Sequence, residues 1–178
     1  MPFFEKELTR EEHYRGRIVT VHTDTVQLDD GTTAFREIVD HPGGVGIVAV
    51  DAEGGVFMVR QFRYAMGKEL LEIPAGKLEK GEDPYECAVR ELGEETGCTA
   101  GKIVPLGTLY PSPGYTREVL YIYLALDLRE GESHPDEGEF LDVLRMPLDK
   151  LCDMAENGEI SDAKSVIGLL RARKYLNK

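Results

Sequence analysis

No run of this sequence is apolar for the roughly 18–20 residues that a membrane-crossing helix needs. The amino terminus, MPFFEKELTREEHYRGR, becomes charged at its fifth residue instead of building the apolar core of a secretory signal. The expectation is a cytoplasmic protein with no membrane partner. Cysteine is scarce: Cys87, Cys98 and Cys152 form no C-x-x-C pair, which argues against a zinc site or a disulfide framework and for free, packed thiols. His13, His22, His41 and His134 lack metal-ligand spacing and read as ordinary surface or loop residues. Basic residues are in deficit, 21 against 33 acidic, for a formal net charge of −12. Such a chain repels a nucleic-acid backbone, and the basic patch of a DNA or RNA binder is missing, so no nucleic-acid partner is expected. An anionic small substrate meets the same repulsion, so a site for one requires local arginines or a divalent metal.

What is present is the balance of a globular protein, 42% hydrophobic and 30% charged residues over 178 positions, enough for one domain with a real core. Residues 17–39 alternate apolar and polar side chains around LDDGTT, where Asp30-Gly31 suits a hairpin turn, and two antiparallel strands are predicted there. After HPGG, the stretch VGIVAVDAEGGVFMVRQFR predicts two strands around the turn Asp51 to Gly55. GKELLEIPAG reads as a short strand ending in a proline turn. A helix is predicted from Pro84, capped by Asp83, to about Thr96, with Gly97 as its stop. IVPLGTLY and EVLYIYLALDL read as strands flanking PSPGYTR, REGESHPDEGEF as an exposed loop, and FLDVLRMPL as a further strand. Two helices, about Leu148–Asn157 and Asp162–Tyr175, close the chain. Strands and helices mix without strict alternation, which predicts an α/β fold, a mixed sheet covered by helices as an α/β/α sandwich. One soft boundary falls near residue 40.

The segment GKLEKGEDPYECAVRELGEETGC, Gly76 to Cys98, crowds acidic side chains together. At about 100° per residue, Tyr85, Ala88, Val89, Leu92 and Thr96 fall within one arc and form the predicted packed face. Glu86, Arg90 and Glu94 follow at i, i+4 and i+8 on the opposite side, where alternating charge steadies a helix by a few tenths of a kcal/mol per pair. Glu91 and Glu95 lie one turn apart at the edge of the apolar arc. Two unit charges 4 Å apart repel by about 1 kcal/mol in water and about 4 kcal/mol at an effective dielectric of 20, so shielding makes that placement costly without a counter-charge. Carboxylates so paired suit a hard cation such as magnesium, which takes its remaining ligands from water and substrate phosphates. Helix spacing alone also fits a solvated acidic face.

Gly76, five residues, Glu82, seven residues, then Arg90-Glu91-Leu92-Gly93-Glu94-Glu95-Thr96-Gly97-Cys98 resembles the Nudix box, G-x5-E-x7-R-E-U-x-E-E-x-G-U with U a bulky aliphatic. Every fixed position is filled, and only Cys98, a small apolar residue at the last aliphatic place, departs from the pattern. VRQFRYAMGKELLEIPAGKLEKGEDP, YPSPGYTREVLYIYLA and GEISDAKSVIGLL are similar to the ADP-ribose pyrophosphatase branch, whose proline beyond the box corresponds to Pro113. The likeness spans residues 17 to 172, and the box is its most specific part.

The resemblance implies a Nudix-type α/β/α sandwich with a small amino-terminal antiparallel region used in dimerisation. The corresponding division is 1–40 for the dimerising, substrate-contacting strands and 41–178 for the hydrolase domain. It implies a magnesium-dependent enzyme, with manganese as a substitute, that splits ADP-ribose into AMP and ribose 5-phosphate and works as a homodimer. Alternatives are another nucleoside diphosphate sugar, NADH or a dinucleoside polyphosphate as substrate, or a non-catalytic nucleotide-binding module. By position it assigns metal contacts to Glu91, Glu95, Glu94 and the carbonyl of Ala75, and an orienting role to Arg90 and Glu82. It makes Arg36, Arg60 and Arg63 candidates for substrate contact, and Glu72 a candidate adenine or orienting contact. Ser112, Pro113 and Gly114, with Arg117 or Glu118 close by, shape the wall around the distal ribose phosphate. The general base is expected on the loop His134 to Val143, as Glu139 ahead of the apolar FLDV or as Glu137.

Overall fold

The computed structural model describes residues 3–134, 138 and 140–177. It divides into two compact units, one formed by the first 43 residues with residues 110–119, the other by 44–109 with the remainder of the chain.

The amino-terminal unit holds β1 (Lys6–Arg15), β2 (Thr20–Gln27) and β3 (Thr33–Asp40) in one antiparallel sheet of that order. The predicted hairpin is β2–β3. Its turn is held by Asp30, whose carboxylate accepts from the Thr32 amide at 2.9 Å and hydroxyl at 2.6 Å, with Gly31 at φ 85° as an Asp-Gly turn requires. β1 was not anticipated. All ten of its residues are exposed, so it carries no buried-against-solvent alternation, and alternation is the signal by which a strand is read. The histidine expectation fails at His22, which is only 1% exposed. Its Nδ1 lies 2.8 Å from Asp24 and its Nε2 3.2 Å from Asp40, while Arg10 donates to Asp24 at 2.9 and 3.0 Å. A polar residue is read as exposed in a sequence, whereas here two inward positions of β2, His22 and Asp24, bond to each other through Nδ1. Residues 110–119 attach to β3 through Val39, whose amide donates to Tyr115 O at 2.8 Å and whose carbonyl accepts from Arg117 N at 2.9 Å.

The larger unit contains β4 (Gly44–Val50), β5 (Gly55–Arg63), β6 (Lys68–Glu72), β7 (Ala75–Lys77), α1 (Pro84–Thr96), β8 (Thr99–Leu109), β9 (Leu120–Arg129), β10 (Leu141–Pro147), α2 (Leu148–Glu156) and α3 (Ala163–Leu176). Its sheet runs β10-β5-β4-β9-β8, with β6 on β5 and β7 on β4. The sheet is mixed: β4 and β9 are parallel and the other pairs antiparallel. Asp51 caps the β4–β5 turn by accepting from the Glu53 and Gly55 amides, each at 2.9 Å, and Arg145 of β10 pairs with it.

β4 is buried along its whole length, and its side chains alternate between two cores as the period of two demands. Val45, Ile47 and Ala49 join Phe57, Tyr123 and Ala125 against Cys87, Ala88 and Leu92 of α1. Val48 and Val50 join Met58, Ile73 and Leu124 against Leu151 and Cys152 of α2 and Leu169 and Ala172 of α3. A helix on one face and two on the other make the expected α/β/α sandwich. The three cysteines are buried and free, as expected. Among the described residues no helix is long and apolar enough to cross a membrane.

Candidate active site

Helix α1 is built by the local signals read in its sequence. Asp83 accepts from Tyr85 N at 2.8 Å as the amino-terminal cap, Pro84 takes the first turn, and Gly97, at φ 72°, returns its N–H to Gly93 O. A side chain at Gly97 would also collide with Gly131 O at 2.5 Å, so the chain after β9 lies directly over the helix end. There His134 N donates to Glu94 O at 2.9 Å.

The face that α1 buries differs from the one its apolar residues predict. Tyr85 and Val89 are 45% and 44% exposed, while Cys87, Ala88, Glu91, Leu92, Glu95 and Thr96 are buried. The stripe has turned to bring Glu91 and Glu95 beneath β7, placing them inside the packed surface and not at its edge. Glu95 accepts from the Ala75 amide at 2.8 Å and is 2% exposed. Glu91 is 9% exposed and packs on Gly76 so closely that a Cβ there would stand 1.7 Å from its Oε1. Only glycine permits this approach of strand and carboxylate.

Arg90 and Glu94 also depart from the solvated side assigned to them. The Arg90 guanidinium donates to both oxygens of Glu82 at 2.9 and 3.0 Å, to Glu91 and Glu94 at 2.8 Å each, and to the Lys77 carbonyl at 3.3 Å. One cation therefore gathers three carboxylates and ties them to β7. The hydrogen bond from Arg90, helped by the Glu79 amide, holds the Glu82 carboxyl down at about 2. The same bond raises the pKa of Arg90. Burial, reinforced by Glu82, pushes the Cys87 thiol up to about 12, which leaves it inert as a nucleophile.

Among the described residues no three His, Cys, Asp or Glu side chains already stand in a ligand cluster; Glu82, Glu91 and Glu94 converge on a guanidinium. The donor set nevertheless fits a hard divalent cation. Three carboxylates, Glu82, Glu91 and Glu94, meet one arginine, a fourth, Glu95, lies one turn from Glu91, and Glu91 and Glu95 are both buried, where water screens charge poorly. Oxygen donors on a packed helix face, beside the backbone of Ala75 and Gly76, are what magnesium or a similar ion takes.

The other charged residues singled out in the sequence are, where described, ion-paired in the structure. Arg60 reaches Asp142 at 2.6 Å and Arg63 grips Glu72 through two bonds of 2.7 Å. Glu72 is 1% exposed and is also bonded by Lys164 of α3. Burial favours its protonated form, yet the Arg63 hydrogen bonds and the Lys164 charge outweigh that and hold its pKa below the ordinary carboxylate value. In the amino-terminal unit Arg36 pairs with Glu5 at 2.9 and 2.6 Å. Arg117 reaches Asp40 at 3.1 Å, Glu118 lies 3.7 Å from His41, and the Ser112 carbonyl accepts from Tyr115 and Thr116 across Pro113 and Gly114. Glu137 and Glu139 lie outside the described residues. Sequence reasoning missed the α3 partner of Glu72, Lys164, and the residues beside it, Asp162 and Ser165. Their only signal was the segment GEISDAKSVIGLL, which had no assigned task.

Known proteins are similar to this chain. The NUDIX domain matches residues 40–167. The "ADP-ribose pyrophosphatase" of Bacillus subtilis (strain 168) is 40% identical over 167 residues, covering 93% of this chain and 90% of that protein. The "Methanol dehydrogenase activator" of Bacillus methanolicus is 41% identical over 169 residues, covering 94% and 91%. A solved structure titled "Crystal structure of ADP compounds hydrolase" superposes with a TM-score of 0.85 at 27% identity, covering 97% of this chain and 94% of that one. With the box residues gathered around α1 and a family match over most of its length, the chain belongs to the Nudix family.

Proposed function

We propose that this protein hydrolyses the diphosphate of ADP-ribose, releasing AMP and ribose 5-phosphate, and does so as a homodimer. The observation that carries the reading is the burial of Glu91 and Glu95 against Ala75 and Gly76, with Arg90 gathering Glu82, Glu91 and Glu94 beside them. The substrate assignment draws support from the Bacillus subtilis relative named for that activity.

Glu91, Glu95, Glu94 and the Ala75 carbonyl hold the metal in this reading, magnesium by preference and manganese as a substitute. When bound, the ion supplies Lewis-acid charge that neutralises the diphosphate and makes water a competent nucleophile near neutral pH. Arg90 and Glu82 keep the glutamates aimed through the bonds described above. Glu139 takes the proton of the attacking water, with Glu137 as the alternative base. Arg36 and Arg60 supply positive charge that an anionic substrate needs on a chain of net charge −12 by exchanging carboxylate partners for phosphate, and Arg63 adds its charge while held by Glu72. Ser112, Pro113, Gly114 and Arg117 shape the wall around the distal ribose, and Glu72 keeps Arg63 in place. A non-catalytic module is disfavoured because Glu82, Arg90, Glu91, Glu94 and Glu95 are all retained.

Hydrolysis of ADP-ribose, GDP-mannose, ADP-glucose, NADH and a dinucleoside polyphosphate, each with magnesium and with excess chelator, tests this reading. ADP-ribose is expected to turn over fastest and chelator to abolish turnover. An equal rate on GDP-mannose or ADP-glucose defeats the substrate assignment, and full activity in chelator defeats the metal. Dimerisation draws support from the amino-terminal unit, where all of β1 is exposed together with Phe3, Phe4, Leu8, Tyr14 and Phe35. Sedimentation is expected to give a species of two chains, and an active single-chain species removes the dimer.

A further inference from the structure

The buried polar cluster at the start of α3 has no task in the reaction described above, and it is joined to the site by hydrogen bonds to Glu72 and Ile73 and by the backbone from there to Ala75. Asp162 caps α3, accepting from Ser165 N at 3.0 Å, from the Ser165 hydroxyl at 2.5 Å and from Lys164 Nζ at 3.0 Å. The Ser165 oxygen, fully buried, in turn accepts from the Ile73 amide at 2.8 Å. Lys164, 8% exposed, bonds the buried Glu72 carboxylate. Both contacts fall on Glu72-Ile73-Pro74-Ala75, the segment between β6 and β7. Pro74 O accepts from Ile47 N at 2.8 Å, and the Ala75 amide meets Glu95 at 2.8 Å.

We infer that Ser165 and Lys164, fixed by the Asp162 cap, are positioning residues that set where the Ala75–Gly76 backbone stands against Glu95 and Glu91, and so tune the affinity of the site for its divalent ion. This rests on the metallohydrolase reading given above. The segment contains Pro74, which has no N–H to donate, so its placement depends on the bonds at Ile73, Pro74 O and Ala75. The bond at Ile73 comes from a side chain whose own orientation is used up by Asp162: the hydroxyl hydrogen goes to the carboxylate, which leaves an oxygen lone pair for the amide. Glu72 is held at both carboxylate oxygens by Arg63 of β5 and at Oε2 also by Lys164 of α3. A buried lysine is costly unless paired, and here its charge is spent on Glu72 and Asp162. Outer partners of this sort change metal affinity without touching the metal.

The test measures manganese uptake from the loss of the free-ion electron paramagnetic resonance signal, without substrate, in wild type, Ser165→Ala, Lys164→Met and Leu169→Val. Leu169 is buried on the same helix in the apolar core, and its aliphatic side chain makes none of the hydrogen bonds of this cluster. Ser165→Ala and Lys164→Met are expected to weaken manganese binding about tenfold, with Leu169→Val within about twofold of wild type although its melting temperature falls. Lys164→Met leaves Glu72 paired with Arg63, so it carries the test should Ser165→Ala not fold. Wild-type affinity in both polar variants, or an equal loss in Leu169→Val, overturns the positioning role alone. Wild type that takes up no manganese overturns this role and the metallohydrolase reading together.

Discussion

Replacing Glu95 by glutamine is expected to lower kcat/KM for ADP-ribose by about 100- to 1,000-fold, the range seen when one preorganised electrostatic contact to a developing charge is removed. The substitution is close to isosteric. Glutamine keeps a carbonyl oxygen that can accept from the Ala75 amide, the bond that Glu95 makes at 2.8 Å, so the helix and β7 stay together while the charge is lost. Glu95 is 2% exposed, and a carboxylate held that far from water contributes strongly to the field around it. Thermal unfolding separates the two consequences. Without metal the variant should melt close to wild type; with excess magnesium, wild type should gain stability by mass action and the variant should gain less. Wild-type turnover in Glu95→Gln contradicts the role assigned to the carboxylate.

Gly76→Ala should cost both activity and stability. The new Cβ would stand 1.7 Å from Glu91 Oε1, 1.8 Å from its Cδ and 2.3 Å from Oε2, so something must move. Gly76 has no positive φ, so the backbone itself accepts alanine and the collision is the whole effect. Moving β7 would break its ladder with β4, where Val45 pairs with Gly76 and Gly46 with Ala75. Swinging the Glu91 carboxylate aside instead gives up its bond from Arg90 at 2.8 Å and its place beside the backbone. Overpacking of this kind costs about 1–3 kcal/mol, whereas a displaced metal contact is expected to cost about 100-fold in kcat/KM. A double-mutant cycle checks the route: in a Glu91→Gln background, Gly76→Ala should add little further loss, because both changes disable one contact. Full additivity would place the damage elsewhere.

Much of this was readable from local signals. Asp83, Pro84 and Gly97 bound α1 as cap, first turn and stop, Asp83 and Gly97 through hydrogen bonds to residues two and four positions away and Pro84 through its fixed φ. The Asp30-Gly31 and Asp51 turns place their hairpins for the same reason. The spacing of Glu82, Arg90, Glu91, Glu94 and Glu95 marks the site because it repeats a family pattern, not because helix periodicity requires it. Strand β1 escaped because its ten residues are exposed and carry no alternation. His22 escaped because its partners Asp24 and Asp40 lie on the sheet around it, where a polar residue read singly looks like surface.

By itself the sequence determined the secondary elements other than β1 and β7, the sandwich class and the identity of the acidic cluster, since each rests on residues close in the chain or on a fixed spacing. Tertiary structure decided which face of α1 is buried. Counting apolar residues placed Tyr85 and Val89 inside and Glu91 and Glu95 at the rim, and the fold reversed this by laying β7 against the carboxylates. It also joined Ser165 to Ile73 and Lys164 to Glu72, pairs 92 residues apart. Such contacts depend on how α3 packs across the sheet, and no local propensity encodes the distance between two segments that meet only after the core has formed.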